Sequence, residues 1–184
     1  MNIYPFNGKM PRIADGVFIA PTAVIVGDVT IGEGSSIWFG AVLRGDEGPI
    51  RIGRNNSIQD NCVIHMTESG TIVGDNNTIG HGAILHNCTL GDSNVIGMNA
   101  VVLDGATIGS ENVIAAGSIV TSGTVLSDRQ LVAGAPAQIK KELSGKSLWW
   151  VQESSKAYLR LIEKYEPGYR YAAATVSVEA RTKA

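Results

Sequence analysis

The 184-residue chain carries a formal net charge of −2 and no run of Lys or Arg, which argues against nucleic acid or an anionic membrane as a partner. Glycine is abundant at 22 positions, aromatic residues are scarce at 6%, and Val and Ile are spread along most of the length, a profile that favours a repetitive β architecture. The opening MNIYPFNGKMPRI lacks the apolar core of a signal peptide, and no apolar run is long enough to span a membrane, so a soluble cytoplasmic protein is expected.

From Ile13 onward an aliphatic residue recurs every six positions, through Ile19, Ile25, Ile31, Ile37 and Leu43. A three-residue insertion near Gly48 resets the period to Ile52, Ile58 and Ile64, and a second near Ser69 resets it to Val73, Ile79 and Leu85. After a one-residue contraction it runs through Leu90, Ile96, Val102, Ile108, Ile114, Val120 and Leu126, giving nineteen hexads or about six triangular coils. Small residues stand two places before many of these aliphatics, as at Ala23, Ser35, Ala41, Ala83, Ala100, Ala106 and Ser118. Gly, Asp and Asn crowd the corners, where Gly and Asn tolerate the positive φ of a sharp turn. Each hexad then supplies one short strand and one corner, and three hexads close a coil around an aliphatic core that only stacking can bury. The pattern predicts a left-handed parallel β-helix over residues 1–135.

Residues 136–184 are expected to pack on the solenoid as a C-terminal helix and tail. Leu148, Val151, Leu159 and Ile162, joined by Trp149, Trp150 and Tyr158, predict an amphipathic helix from about 147 to 164, lying on its own solenoid or a neighbour's. The Trp149–Trp150 pair reads as helix packing, and the stretch after Glu166 as a mobile or strapping tail. Cys62 and Cys88 fall in register with the core and read as packing residues rather than a disulfide or a reactive thiol.

The three histidines, His65, His81 and His86, fall within 22 residues as H-x15-H-x4-H. Counted in hexads, His65 and His86 each follow an inward residue by one place and lie one coil apart, so they stack on one face about 4.8 Å apart. His81 stands two places after Ile79, on the preceding face. If one ion takes all three nitrogens, His81 must come from a neighbouring subunit, most simply in a threefold ring. The same counting puts Arg44 below His65 and Asp60 below His81, which predicts an intersubunit ion pair beneath the metal, with Leu103 and Met98 as an apolar roof. Three imidazoles with an open position are the donor set of a catalytic zinc, which brings a water's pKa from 15.7 to roughly 7.

The sequence resembles the γ-class carbonic anhydrases and their bacterial relatives, including proteins associated with phenylacetate and carnitine metabolism, over nearly its whole length. The carrying residues are Arg44 and Asp46 in LRGDEG, Gln59 and Asp60 in SIQDN, His65 in CVIHM, His81 in TIGHGA and His86 in ILHNC, followed by GMNAVVLDGA and LVAGAPA. The resemblance implies a homotrimer whose interface histidines bind zinc, or iron or cobalt, and a metal-bound hydroxide that adds to carbon dioxide to give bicarbonate. It also implies that Gln59 hydrogen-bonds that hydroxide, that Arg44, Asp46 and Asp60 shape the interface and pocket, and that Tyr158 reaches the site from the helix. Glu68 stands three residues after His65, where the family's proton shuttle stands, and Glu47 follows Asp46 as in active members. Only MTESG replaces the family's longer acidic loop, and Ser57 stands where the family has an asparagine; both departures point to modest turnover. Two other readings fit the same solenoid: an acyltransferase or thioester hydrolase acting on coenzyme A compounds, and a metal-stabilised scaffold without catalysis.

Overall fold

The computed structural model describes residues 1–67, 69–165 and 167–171. Short parallel strands wrap a triangular left-handed β-helix of seven coils, closed by one C-terminal helix. Each coil has three faces. Strands Asn2–Tyr4, Val63–His65, Ile84–His86, Val101–Val102 and Ile119–Val120 build what we call the histidine face, together with the first parts of Val24–Ile31 and Val42–Ile52. Those two longer strands turn the corner and serve the threonine face as well, which continues through Thr71–Val73, Thr89–Leu90, Thr107–Ile108 and Val125–Leu126. The third, helix-covered face runs from Phe18–Ile19 through Ser36–Ile37, Ser57–Ile58, Thr78–Ile79, Val95–Ile96 and Val113–Ile114 to Gln130–Gly134.

The registers pair the hexad aliphatics directly, with Leu43 against Ile64, Ile64 against Leu85 and Leu85 against Val102 on the histidine face. These side chains are buried, and each contributes about 1.5–3 kcal/mol relative to exposure. The small residues Ala23, Ser35, Ala41, Ala83, Ala100, Ala106 and Ser118 are buried beside them and let the chain bend tightly. Seven coils replace the six expected, because Ile3 pairs with Ile25 to begin a coil before Ile13, and Val132 pairs with Ile114 to complete one after Leu126. Strand Ala137–Glu142 then turns back antiparallel along Gln130–Gly134.

Side-chain ladders tie coil to coil at the corner between the threonine and helix-covered faces. Buried Asn56 accepts from the backbone N–H of Asn77, Asn77 from that of Asn94, Asn94 from that of Asn112, and Asn112 from that of Gln130, at 2.8–2.9 Å. The buried backbone donors of this corner are thereby satisfied without water. At the corner between the helix-covered and histidine faces, Gly40, Asn61, Gly82, Asn99 and Gly117 all take positive φ, from +55° to +71°. This column turns the chain sharply just after Phe39, Asp60, His81 and Met98 and so sets the direction of each.

Helix α1 spans Trp149–Ile162 and lies on the chain's own solenoid, burying Val151, Ser155 and Ile162. An aromatic cluster anchors its second half: Phe18 and Trp38 from the solenoid meet at 4.8 Å, and Tyr158 and Tyr165 pack edge-on against Trp38 at 5.5 Å. Residues beyond the helix return to the first coil, where Tyr171 donates to Val17 O and Arg170 pairs with Phe18. The Trp149–Trp150 pair departs from the expected packing role. The two rings stack edge-on at 5.1 Å and remain more than half exposed, because the residues facing the solenoid in that turn are Val151 and Ser155. Of the tail expected from Glu166 onward, residues 167–171 strap back to the first coil, and 172–184 lie outside the described residues.

Candidate metal centre

Every break in the hexad period falls at one corner, that between the histidine and threonine faces. The insertions at 45–49 and 66–70 and the contraction between Leu85 and Leu90 occupy this corner in three successive coils. Arg44, His65 and His86 stand at its entrance. A regular corner would carry the chain straight into the next strand; the widened one at 45–49 holds Asp46 against the His65 imidazole.

His65 and His86 are directly in register on neighbouring strands. Their rings lie 5.3 Å apart, and His65 Nδ1 is 3.3 Å from His86 Nε2. That separation matches the N···N edge of a tetrahedral site with metal–nitrogen bonds of about 2.0–2.1 Å, an edge of roughly 3.3 Å. The remaining nitrogen of each ring meets a carboxylate. His65 Nε2 lies 3.0 Å from Asp46 Oδ1, and His86 Nδ1 lies 3.1 Å from both oxygens of Asp104. His81 repeats the arrangement on its own corner, its Nδ1 2.7 Å from Asp60 Oδ2. Each of the three imidazoles is thus oriented by its own aspartate with one nitrogen left over, the carboxylate–histidine pairing that positions metal-ligating histidines.

Within one protomer the set is divided. His81 and His86 stand at opposite edges of the histidine face, five residues and roughly 16 Å apart at about 3.3 Å per residue. Among the described residues of the single chain, no three His, Cys, Asp or Glu gather into a group that could hold an ion.

Other predicted residues fall as follows. Within the chain, Arg44 pairs with Asp46, two residues along the same strand, and Asp60 pairs with His81; the insertion brings the Asp46 carboxylate back over the guanidinium. Burial works to raise the Asp46 carboxyl, but hydrogen bonds from Arg44 and His65 outweigh it and hold the group below the ordinary carboxylate range. Glu47 is exposed and donates its backbone N–H to Asp46 Oδ1. Glu68 lies outside the described residues. Gln59 is buried, its Oε1 accepting the backbone N–H of His81 at 3.1 Å and its side chain hydrogen-bonded to Tyr158. Burial, reinforced by the charge of Asp60 and opposed by Gln59, raises the Tyr158 hydroxyl above the usual tyrosine value, so it stays protonated. Ser57 is buried beneath the helix, two residues before Gln59. Leu103 is half-buried and Met98 exposed, each one coil above its histidine as the period predicts. Cys62 and Cys88 are free and buried, and burial pushes both thiols up to about 12, which suits packing and not nucleophilic chemistry.

Asp104 was not foreseen from the sequence. It sits in an ordinary Asp-Gly corner one coil above His86, and no local signal distinguishes it from the solvated Asp-Gly at Asp15.

The profile of the family "Bacterial transferase hexapeptide (six repeats)" matches residues 10–45 and 87–122. The carnitine operon protein CaiE of Salmonella agona is 38% identical over 169 residues, covering 91% of this chain and 85% of that protein. The chain belongs to the hexapeptide-repeat family of γ-carbonic-anhydrase-like and CaiE-like proteins. Within that family, the mitochondrial γ carbonic anhydrase 2 of Arabidopsis thaliana is 38% identical over 170 residues, which is 89% of this chain but 60% of the plant protein's length. A hexapeptide transferase family protein from Anaplasma phagocytophilum, 39% identical, superposes with a TM-score of 0.87 over 90% of this chain and 98% of its own.

Proposed function

We propose that the chain is one protomer of a homotrimeric, metal-dependent carbonic anhydrase of the γ class, catalysing the reversible hydration of carbon dioxide to bicarbonate. The observation that carries this reading is the triple pairing of imidazole with carboxylate, together with the 3.3 Å gap between the free nitrogens of His65 and His86. His65 and His86 of one protomer and His81 of the next would hold the ion. Zinc, iron or cobalt suits three imidazoles, and when bound it supplies Lewis-acid activation that brings a water's pKa to about 7.

The trimer is supported by the outward side of the histidine face. Val24, Val42, Val63, Ile84, Val101 and Ile119 form an aliphatic column beside the histidines, and Val63, Ile84 and Ile119 are exposed. The threonine face presents Arg12, Thr30, Arg51, Ile72, Thr89, Thr107 and Val125 at corresponding positions, a column that is polar except at Ile72 and Val125. An apolar face bearing the half-site is what a second copy of the chain would cover.

The chain's own residues have defined work in this reaction. Gln59, fixed between the His81 backbone and Tyr158, presents an oriented amide beside the shared centre. Arg44, neutralised by Asp46, closes the floor beneath His65 and His86. The net proton of each hydration leaves through Glu47 or Glu68, the carboxylates of the two insertions.

The acyltransfer reading is disfavoured because one histidine acting as a base has no need of two others, each backed by a carboxylate. The deciding experiment is stopped-flow carbon dioxide hydration on protein of assayed metal content, purified aerobically and anaerobically with zinc or iron. Metal-dependent turnover abolished by His86→Ala supports the anhydrase. One metal per subunit with no hydration in any form would move the reading to the scaffold or thioester hydrolase.

A further inference from the structure

Three apolar side chains at or beside the foot of the histidine face stand out to solvent. Tyr4 is 50% exposed, Phe6 47% and Met1 51%, while Ile3 among them packs against the core. Register fixes where Tyr4 lies. It pairs with Val26 and Val26 with Arg44, while Leu43 pairs with Ile64 and His65 with His86. Tyr4, Val26, Arg44, His65 and His86 therefore form one column along one edge of the face. The column of His81 runs along the other edge. Pro21, Phe39 and Asp60 stand two places after Ile19, Ile37 and Ile58, as His81 does after Ile79, and those isoleucines pair from coil to coil.

A threefold rotation about an axis along the stack carries no translation, so neighbouring protomers face one another coil for coil. The ring that brings the neighbour's His81 to His65 and His86 therefore brings the neighbour's Asp60 to Arg44 and His65, and its Phe39 to Val26 and Arg44. One coil lower, the neighbour's Pro21 arrives at Tyr4 and Val26. Pro21 is exposed, and its corner is braced by the first strand of its own chain: the Asn2 amide donates to Pro21 O at 2.8 Å and to Ala23 O at 3.3 Å. Tyr4 thus meets an apolar and fixed corner, on which a tyrosine can lay its ring while its hydroxyl stays in water.

We propose that strand Asn2–Tyr4 is an assembly clamp whose partner is a second copy of this chain, the Tyr4 ring of each protomer packing on Pro21 of the next. The inference rests on the trimer reading and not on metal or hydration. Tyr4 lies three coils below His65, roughly 14 Å away at about 4.8 Å per coil, so it holds the neighbour without touching the ion. Three such contacts close the base of the ring.

The test is a cross-link in the full chain. Tyr4→Cys is combined with Pro21→Cys, oxidised, and run on a denaturing gel. Within one protomer the two positions lie at opposite edges of the face, roughly 16 Å apart, too far for a disulfide, so a bond between them joins two chains. The double variant should close into a covalent trimer, and each single variant should run as a monomer. In sedimentation at falling concentration, Tyr4→Ala should dissociate at a concentration at least about tenfold higher than the unaltered chain, and Tyr4→Phe, which keeps the ring, at the same concentration. Circular dichroism should show the same β-helix in every variant, because Tyr4 and Pro21 are exposed. If the unaltered chain is trimeric and either the cross-link or the Tyr4→Ala shift fails to appear, the clamp is overturned while the trimer stands. A monomeric unaltered chain overturns both.

Discussion

Two faces of this solenoid are built from the same hexads and end differently. The helix-covered face carries Phe18 and Trp38 beneath Tyr158 and Tyr165, and it satisfies its apolar surface within the chain. The histidine face carries an aliphatic column of which Val63, Ile84 and Ile119 stay exposed among the described residues. Stability explains the first face. The second is the face that the proposed trimer would cover, and on it His65 and His86 meet while His81 stands at the far edge. The third side, by contrast, is polar at five of its seven corresponding positions, Ile72 and Val125 excepted.

Several substitutions sharpen or break this contrast. The largest effect is expected from Val63→Glu combined with Ile84→Glu: light scattering should show loss of the oligomer and metal analysis loss of the ion, while circular dichroism retains the β-helix, because both side chains point away from the core. A double variant that stays trimeric would refute the assigned interface. His81→Ala should lose the metal and weaken the trimer together, and a fully metallated variant would sink the shared-ligand arrangement. On the opposite face, Trp38→Ala should cost about 3–5 kcal/mol by chemical denaturation without changing metal content, since it empties the anchor of α1. Asp104→Asn should lower metal affinity by about 10–100-fold in a competition titration with a chromogenic chelator, the usual cost of losing a carboxylate behind a ligating histidine.

The smallest effect is expected at Asp28, on the corner between the histidine and threonine faces and one coil below Gly45. The hydrogen bond from Arg51, then that from Lys9, lowers Asp28 to about 2. A carboxyl depressed in the folded state adds stability above its unfolded pKa, and this is lost as pH falls from about 4 towards 2. Asp28→Asn should therefore flatten the acid limb of the stability profile and cost less than about 1 kcal/mol at pH 7, because Lys9 and Arg12 are largely exposed.

The fold was legible because a solenoid repeats one rule, and a residue that must point inward every six places cannot hide. Its ends were less so. Ile3 lies ten residues from Ile13, and Val132 keeps the six-residue step while Gln130 occupies the place of a slim residue. Stacking of His65 on His86 and of His81 on Asp60 followed from the count alone, whereas Gln59 entered only through the family resemblance. What hexad counting could not supply was how an irregular corner folds: Asp46 turns back to both Arg44 and His65, an arrangement set by the insertion's own backbone. Nor could it separate Asp104 from other Asp-Gly corners, since its partner is one coil away. The exposure of Trp149 and Trp150 escaped for a related reason, as helix periodicity identifies an apolar face but not which of two adjacent rings is turned outward.

The asparagine ladder has a consequence for how the chain finds its arrangement. Its rungs are alike, so a nascent strand displaced by one full coil would meet an equivalent asparagine and equivalent aliphatics, and translational symmetry would leave the error nearly unpunished. The widened corners at 45–49 and 66–70 break that symmetry because they differ from the corners above. They would act as an index mark for the stack, so the corners beside the candidate metal centre would also make its assembly unique. Excising 66–70 should then yield several slowly interconverting species on refolding, visible as multiple tryptophan fluorescence phases, where the intact chain gives one.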